Sequence, residues 1–264
     1  MSTPRRALWL LLMLVLALPA RAQELPPSLV LVIDDLGMNL ARGRRVLALP
    51  GPLTCAVLPH TPYARVLADA AQAGGKDLIL HTPMANLQAL NPGPGALTPE
   101  LTRSELQGRL RAALDSLPPV QGLNNHQGSL LTQLAEPMNW VMEVARERGL
   151  FFIDSRTTAA TVAFQRAQAA GVPALERDVF LDHRLEPAAI AAAFERALSI
   201  ARRDGVAVVI GHPHPQTLSF LEQALPRLGE QGIGQLSASA WLALQRDQRR
   251  RQAYDGSLRT LSYH

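Results

Sequence analysis

A chain of 264 residues that is 47% hydrophobic and 18% charged builds one domain with a sizeable core and needs no second one. Setting apart Arg5, Arg6 and Arg21 with the N-terminal segment leaves 23 basic residues against 22 acids, a balance of +1, which argues against nucleic acid as a partner. Cys55 is the only cysteine, so the chain forms no internal disulfide and no cysteine-based metal site.

Arg5 and Arg6 precede an apolar stretch at 7–18, and Ala20-Arg21-Ala22 offers small residues where a signal peptidase reads them. The expected layout is a signal peptide at 1–22, a linker at 23–28, one domain at 29–244 and a basic tail at 245–264. The apolar stretch is short for the ~20 residues of a membrane span. The mature chain is therefore expected to be secreted with no transmembrane span, an uncleaved anchor being the alternative.

Short apolar runs then alternate with helical stretches. Strands are predicted at 29–33, 53–58, 77–80, 122–124, 150–153, 178–181 and 207–210, and helices at 63–73, 102–116, 137–148, 159–170, 187–203 and 217–231. Thr102-Arg103-Ser104-Glu105 has the spacing of a capping box at a helix start. This alternation predicts an α/β fold, a parallel (β/α) barrel of about seven strands, with a doubly wound open sheet as the competitor. Only Gly37 follows the first strand, so the glycine fingerprint of a dinucleotide site is missing. Asn91-Pro92-Gly93-Pro94-Gly95 is a surface loop placed to border a cleft.

Strand ends carry the chemistry. The first apolar run stops at Asp34-Asp35, the third at His81, the fourth at Asn124-Asn125-His126, the fifth at Asp154-Ser155-Arg156, the sixth at Asp182-His183 and the seventh at His212. Each has a plainer reading: Asp35 or Asp154 can cap the next helix, Arg156 can pair with Asp154, and a lone histidine is a loop residue. In parallel strands, however, all of these groups converge on one mouth. Neither Ser129 nor Ser155 lies in a Gly-x-Ser-x-Gly elbow, which speaks against serine catalysis. One carboxylate and two imidazoles can hold a divalent ion with open positions, a second carboxylate can take a proton from water, and a further histidine can protonate a leaving amine.

These segments together resemble the divergent polysaccharide deacetylases, a branch of the NodB-homology carbohydrate esterases found in bacterial envelopes. The resemblance covers 29–244 and rests on Val32-Ile33-Asp34-Asp35-Leu36-Gly37, Leu80-His81-Thr82-Pro83-Met84, Gly122-Leu123-Asn124-Asn125-His126-Gln127-Gly128-Ser129, Phe152-Ile153-Asp154-Ser155-Arg156-Thr157-Thr158, Arg177-Asp178-Val179-Phe180-Leu181-Asp182 and Ile210-Gly211-His212-Pro213. It implies a distorted NodB-like barrel, a divalent metal (commonly zinc), a polysaccharide or peptidoglycan substrate and a periplasmic location. It also implies Asp34 as base, Asp35, His81 and His126 as ligands, and His212 as acid. Asp154, Arg156, Asp178 and Asn125 are expected to support these residues or to meet substrate. The wider group carries both metal histidines in one His-Ser/Thr-x-x-His motif, whereas here the second lies one strand later. That departure motivates the alternative of an inactive barrel that binds glycan or an envelope protein partner.

Overall fold

The structure, a computed structural model, describes residues 26–261, with side chains as far as Tyr254. The signal peptide expected at 1–22, and residues 23–25 of the linker, lie outside the described residues. The elements run β1 (Ser28–Leu36), α1 (Leu40–Ala48), β2 (Thr54–Val57), α2 (Ala64–Ala73), β3 (Asp77–Met84), α3 (Arg103–Asp115), β4 (Gly122–Gln127), α4 (Ala135–Glu147), β5 (Phe151–Asp154), α5 (Ala163–Ala169), β6 (Ala174–Glu176), β7 (Val179–Phe180), α6 (Pro187–Asp204), β8 (Val206–Gly211), α7 (Pro215–Ala224), β9 (Gly234–Leu236) and α8 (Ala238–Leu261). The capping box forms: the Thr102 side chain accepts from Glu105 N–H, and Glu105 accepts from Thr102 N–H.

Every strand pair is parallel, in the order β6-β5-β4-β3-β2-β1-β8-β7, with β9 beside the start of β1. The order runs β1 to β6 without reversal, which excludes the doubly wound sheet. The two ends of the path, β6 and β7, are separated in the chain only by Arg177 and Asp178. Arg177 N–H donates to Asp154 O on one side, and Asp178 N–H donates to Val208 O on the other. A single segment thus leaves β5 and joins β8, curling the sheet into a barrel. The strand predicted at 178–181 is the second half of that segment. β6 and β9, at three residues each, are too short to show a periodicity. α1 is also new, because Arg42, Arg44 and Arg45 interrupt its apolar pattern.

Alternation along each strand sorts side chains into two cores. Leu29, Leu31 and Ile33 of β1 face the helices, as do Leu78, Leu80, Leu123, Phe152 and Val209 of the other strands. Val30, Val32, Ile79, Ile153, Val208 and Ile210 fill the barrel interior. Trp241 and Leu242 of α8 pack against this interior cluster. Ala238 N–H donates to Thr54 Oγ1 and Ser239 N–H to Asp77 Oδ2, near the starts of β2 and β3. The C-terminal helix therefore stoppers the end of the barrel where strands begin. It runs across the boundary expected at 244/245, so the basic stretch Arg246–Arg251 continues a structural helix.

Two variants test that stopper. Trp241→Ala, at a half-buried position, lowers unfolding stability by about 2 kcal/mol. Truncation after residue 244 lowers it by less than about 1 kcal/mol, because residues 246–254 are exposed. Urea unfolding followed by circular dichroism reads both, and a larger loss on truncation than in Trp241→Ala would show that the helix is held mainly by its distal half.

Candidate metal centre and catalytic site

Strict alternation would send Asp34 into the barrel and Asp35 out towards the helices. The strand avoids this with a bulge. Between Ile33 and Leu36 β1 advances three residues while β2 advances two, from Cys55 to Val57. Asp35 takes a left-handed backbone conformation, φ 57°, which non-glycine residues adopt at a cost. Both acids consequently reach the mouth formed by the strands' C-terminal ends.

Three donor atoms meet there. Asp35 Oδ1 lies 3.1 Å from His81 Nε2 and 2.9 Å from His126 Nδ1, and the two ring nitrogens are 3.1 Å apart. Ligands held 2.0–2.2 Å from one ion at tetrahedral or octahedral angles are separated by roughly 2.9–3.5 Å. Asp35 Oδ1 is buried, yet neither ring nitrogen is aligned to hydrogen-bond it. A buried oxygen without a hydrogen-bond partner beside two close ring nitrogens is a donor set that fits a divalent cation. Burial pushes the Asp35 carboxyl up, but the His126 and His81 rings outweigh it and hold the group well below the carboxylate range. Burial pushes His81 down, and Asp34 and Asp35 more than reverse this. Two carboxylates in one buried mouth draw positive charge into it.

Asn124, fully buried on β4, organises this set. Its Oδ1 is 2.7 Å from His81 Nδ1, and its Nδ2 donates to Asp34 Oδ1 at 2.8 Å. An amide oxygen at Nδ1 calls for the Nδ1–H tautomer, which leaves the Nε2 lone pair directed at the donor cluster. Asp34 itself is 2% exposed. Burial raises its pKa despite the opposing effects of His81 and His212, so it is a stronger proton acceptor than an ordinary aspartate.

His212, at the end of β8, belongs to a second constellation. Asp182 Oδ1 lies 2.9 Å from His212 Nδ1, while Asp182 Oδ2 accepts from His212 N–H at 2.7 Å and from Thr217 Oγ1 at 2.8 Å. The Phe180 ring stacks beside the imidazole, with centroids 6.1 Å apart. Burial lowers the His212 pKa, but Asp182 outweighs it and lifts it from 6.5 to about 9. Burial of Asp182 is likewise outweighed by His212, and its carboxyl is held low. His214 approaches the same pair. Both Asp182 oxygens are already hydrogen-bonded, so this group is an oriented imidazole rather than a second metal centre.

The other expected residues have different places. Asp154 is on the helix-facing side of β5, where its carboxylate accepts from Arg156 N–H, Thr161 Oγ1 and Phe164 N–H. It ties down the turn into α5. Arg156 pairs with Glu176 at 3.2 Å, not with the Asp154 carboxylate. Asn125 braces β4 against β5, accepting from Ser155 N–H and donating to Gln127 O. Asp178 accepts from Val208 N–H at the start of β7. None of these four hydrogen-bonds to Asp34, Asp35, His81, His126 or His212 among the described residues. Asn124 and Asp182, absent from the expected set, do. A cleft of about 410 Å³ opens onto the site, bounded by Asp35, His126 and His212 at its base and by Met38, Leu58 and Pro92 among its walls.

Comparison with known proteins bears on the family and the fold. A family model described as divergent polysaccharide deacetylase matches residues 31–242. An uncharacterized Escherichia coli (strain K12) protein, YibQ, is 38% identical over 201 residues, which are 76% of this chain and 63% of that protein; the chain thus spans less than two thirds of that relative's length. The crystal structure of an uncharacterized protein from Agrobacterium tumefaciens C58 superposes with a TM-score of 0.77 at 22% identity, over 82% of this chain and 89% of that one. A mutant CE4 family pseudoenzyme with restored enzymatic activity, from Bacillus anthracis, superposes with a TM-score of 0.51 at 14% identity, over 83% and 68%. At these identities both structures speak to the fold.

Two measurements probe the arrangement. Asn124→Ala lowers the affinity for zinc by about tenfold to a hundredfold in calorimetric titration, with far-UV circular dichroism unchanged; unaltered affinity would remove the amide from its tautomer-setting place. Because the His212 pKa is raised above 6.5, the pair stabilises the fold fully below pH 6.5 and loses that contribution as pH rises through about 9. The melting-temperature gap between wild type and Asp182→Asn therefore narrows from pH 6 to pH 10.

Proposed function

Starting from a chain that belongs to the divergent polysaccharide deacetylase family, we propose a metal-dependent hydrolase that removes N-acetyl or O-acetyl groups from an envelope glycan. The observation that carries this reading is the convergence of Asp35 Oδ1, His81 Nε2 and His126 Nδ1, with a buried aspartate and an aspartate-oriented histidine bordering the same mouth.

Asp35, His81 and His126 would hold the ion, zinc being the natural choice for two imidazoles and a carboxylate. When bound, it supplies a Lewis acid that acidifies water and polarises the acyl carbonyl. Asp34 takes the proton of the attacking water. Its carboxylate is kept in place by Asn124 and kept basic by burial. His212 is protonated at neutral pH and offers Nε2–H to the departing amine or alkoxide, because Nδ1 is committed to Asp182. Asp182 plays for His212 the part that Asn124 plays for His81. The base and the acid start in opposite protonation states, as hydrolysis requires.

The alternative, a barrel that binds glycan without turnover, is favoured by the likeness in fold to a pseudoenzyme. Here the donor triad is complete, although the second histidine comes from β4 instead of β3. We also propose that the leader directs the protein to the periplasm.

The test is acetate release from acetylated chitooligosaccharides and peptidoglycan fragments by zinc-loaded protein. Asp34→Asn lowers kcat by about 10² to 10⁴ with zinc still bound. Release at the wild-type rate in that variant would remove Asp34 as the base, and stoichiometric zinc with no release from any acetylated glycan or ester would favour the binding module.

A further inference from the structure

Five of the seven large hydrophobic side chains exposed among the described residues lie after three adjacent strands: Met38 after β1, Tyr63 and Val66 at the start of α2 after β2, and Leu87 and Leu90 after β3. Met38 and Leu90 are about 60% exposed. Apolar side chains clustered in this way mark a binding surface. The loop that displays the leucines is built, not slack. Asn86 is buried and clasps Leu90 twice, donating from Nδ2 to Leu90 O at 2.7 Å and accepting from Leu90 N–H at 3.0 Å. Leu87 N–H donates to Ser129 Oγ. The same loop continues into Asn91-Pro92-Gly93-Pro94, one wall of the cleft above the donor triad.

That cleft has the size of a small-molecule site, about 410 Å³, not of a trough for a polymer. Leu36, Met38, Leu58 and five prolines form most of its apolar wall, with Asn39, Arg42, Thr61 and Asn91 among them, and no tryptophan, tyrosine or phenylalanine lines it. The polar groups suffice for one sugar unit, but a sugar chain would find no aromatic platform there, whereas a hydrocarbon segment would find Met38, Leu58 and the prolines leading from the reacting groups towards the exposed leucines. We infer that the substrate is an amphiphilic glycan, an acetylated sugar joined to a hydrocarbon chain that lies along Met38 and the Leu87–Leu90 loop. This rests on the hydrolase reading for the reacting end and on the cleft alone for the chain.

The experiment compares methyl, butyl, hexyl and octyl N-acetylglucosaminides as substrates of the zinc-loaded protein, below their micellar concentrations. Each methylene that reaches the wall is expected to raise kcat/KM by about fourfold, mostly through KM. Met38→Asn with Leu90→Asn lowers the octyl-to-methyl ratio by about tenfold or more. Binding of octyl and methyl glucoside, which carry no acetyl group, is measured by calorimetry with and without zinc. Tighter octyl binding, lost in the double variant, supports the inference even if no acetate is released and the hydrolase reading fails. Acetate release that is independent of alkyl length leaves the hydrolase standing and overturns the amphiphilic substrate, as does equal binding of the two glucosides.

Discussion

One extra residue in the first strand governs the site. Without the bulge at Asp34-Asp35 the pleat would place one carboxylate among barrel side chains and the other among helix side chains, and the two could not serve one reaction. The bulge is affordable because β1 is clamped on both sides, by β8 over Ser28–Ile33 and by β9 and β2 in turn along its other edge. Pairing holds the left-handed Asp35 that an isolated strand would relax. The two acids then diverge in character. Asp35 lies beside two imidazoles whose charge holds its pKa low, while Asp34 is buried against an amide and keeps its affinity for a proton.

The charges assembled at the mouth explain the rest of its design. Two carboxylates brought together in a buried site repel unless something positive lies between them. His81 and His126 share that task near Asp35, and His212 extends it towards Asp34. Two of the three imidazoles at the mouth have their far nitrogen assigned by a buried partner, Asn124 for His81 and Asp182 for His212. The CE4 fold is retained around a ligand set that departs from the His-Ser/Thr-x-x-His pattern. The second histidine can move to the neighbouring strand because His126 on β4 is paired beside Pro83, two residues beyond His81 on β3.

The barrel was legible because parallel strands buried on both faces leave continuous apolar runs, and the mouth because those runs end in acids and histidines. What was not legible followed from geometry finer than a strand end. Asp154 ends an apolar run as plainly as Asp34 does, but one step of alternation turns it towards α5. Asp178 stands at the start of β7, whereas Asp182 stands past its end, where the other acids of the mouth are found. Asn124 carries no charge, and its type alone does not set it apart from Asn125 beside it. Its importance appears only when β3 and β4 align His81 opposite it. β6 and β9 are short pieces whose partners come from distant parts of the chain, and local pattern cannot announce them.

The first strand is also the last to be completed. β1 begins at Ser28, but two of its three neighbours, β8 and β9, lie between Val206 and Leu236. Until almost the whole chain has been synthesised, the strand bearing both acids has only β2 beside it. Contacts of such long sequence separation fold slowly. A nascent chain that stops short of Val206 therefore carries both acids without the two strands that complete the sheet around β1.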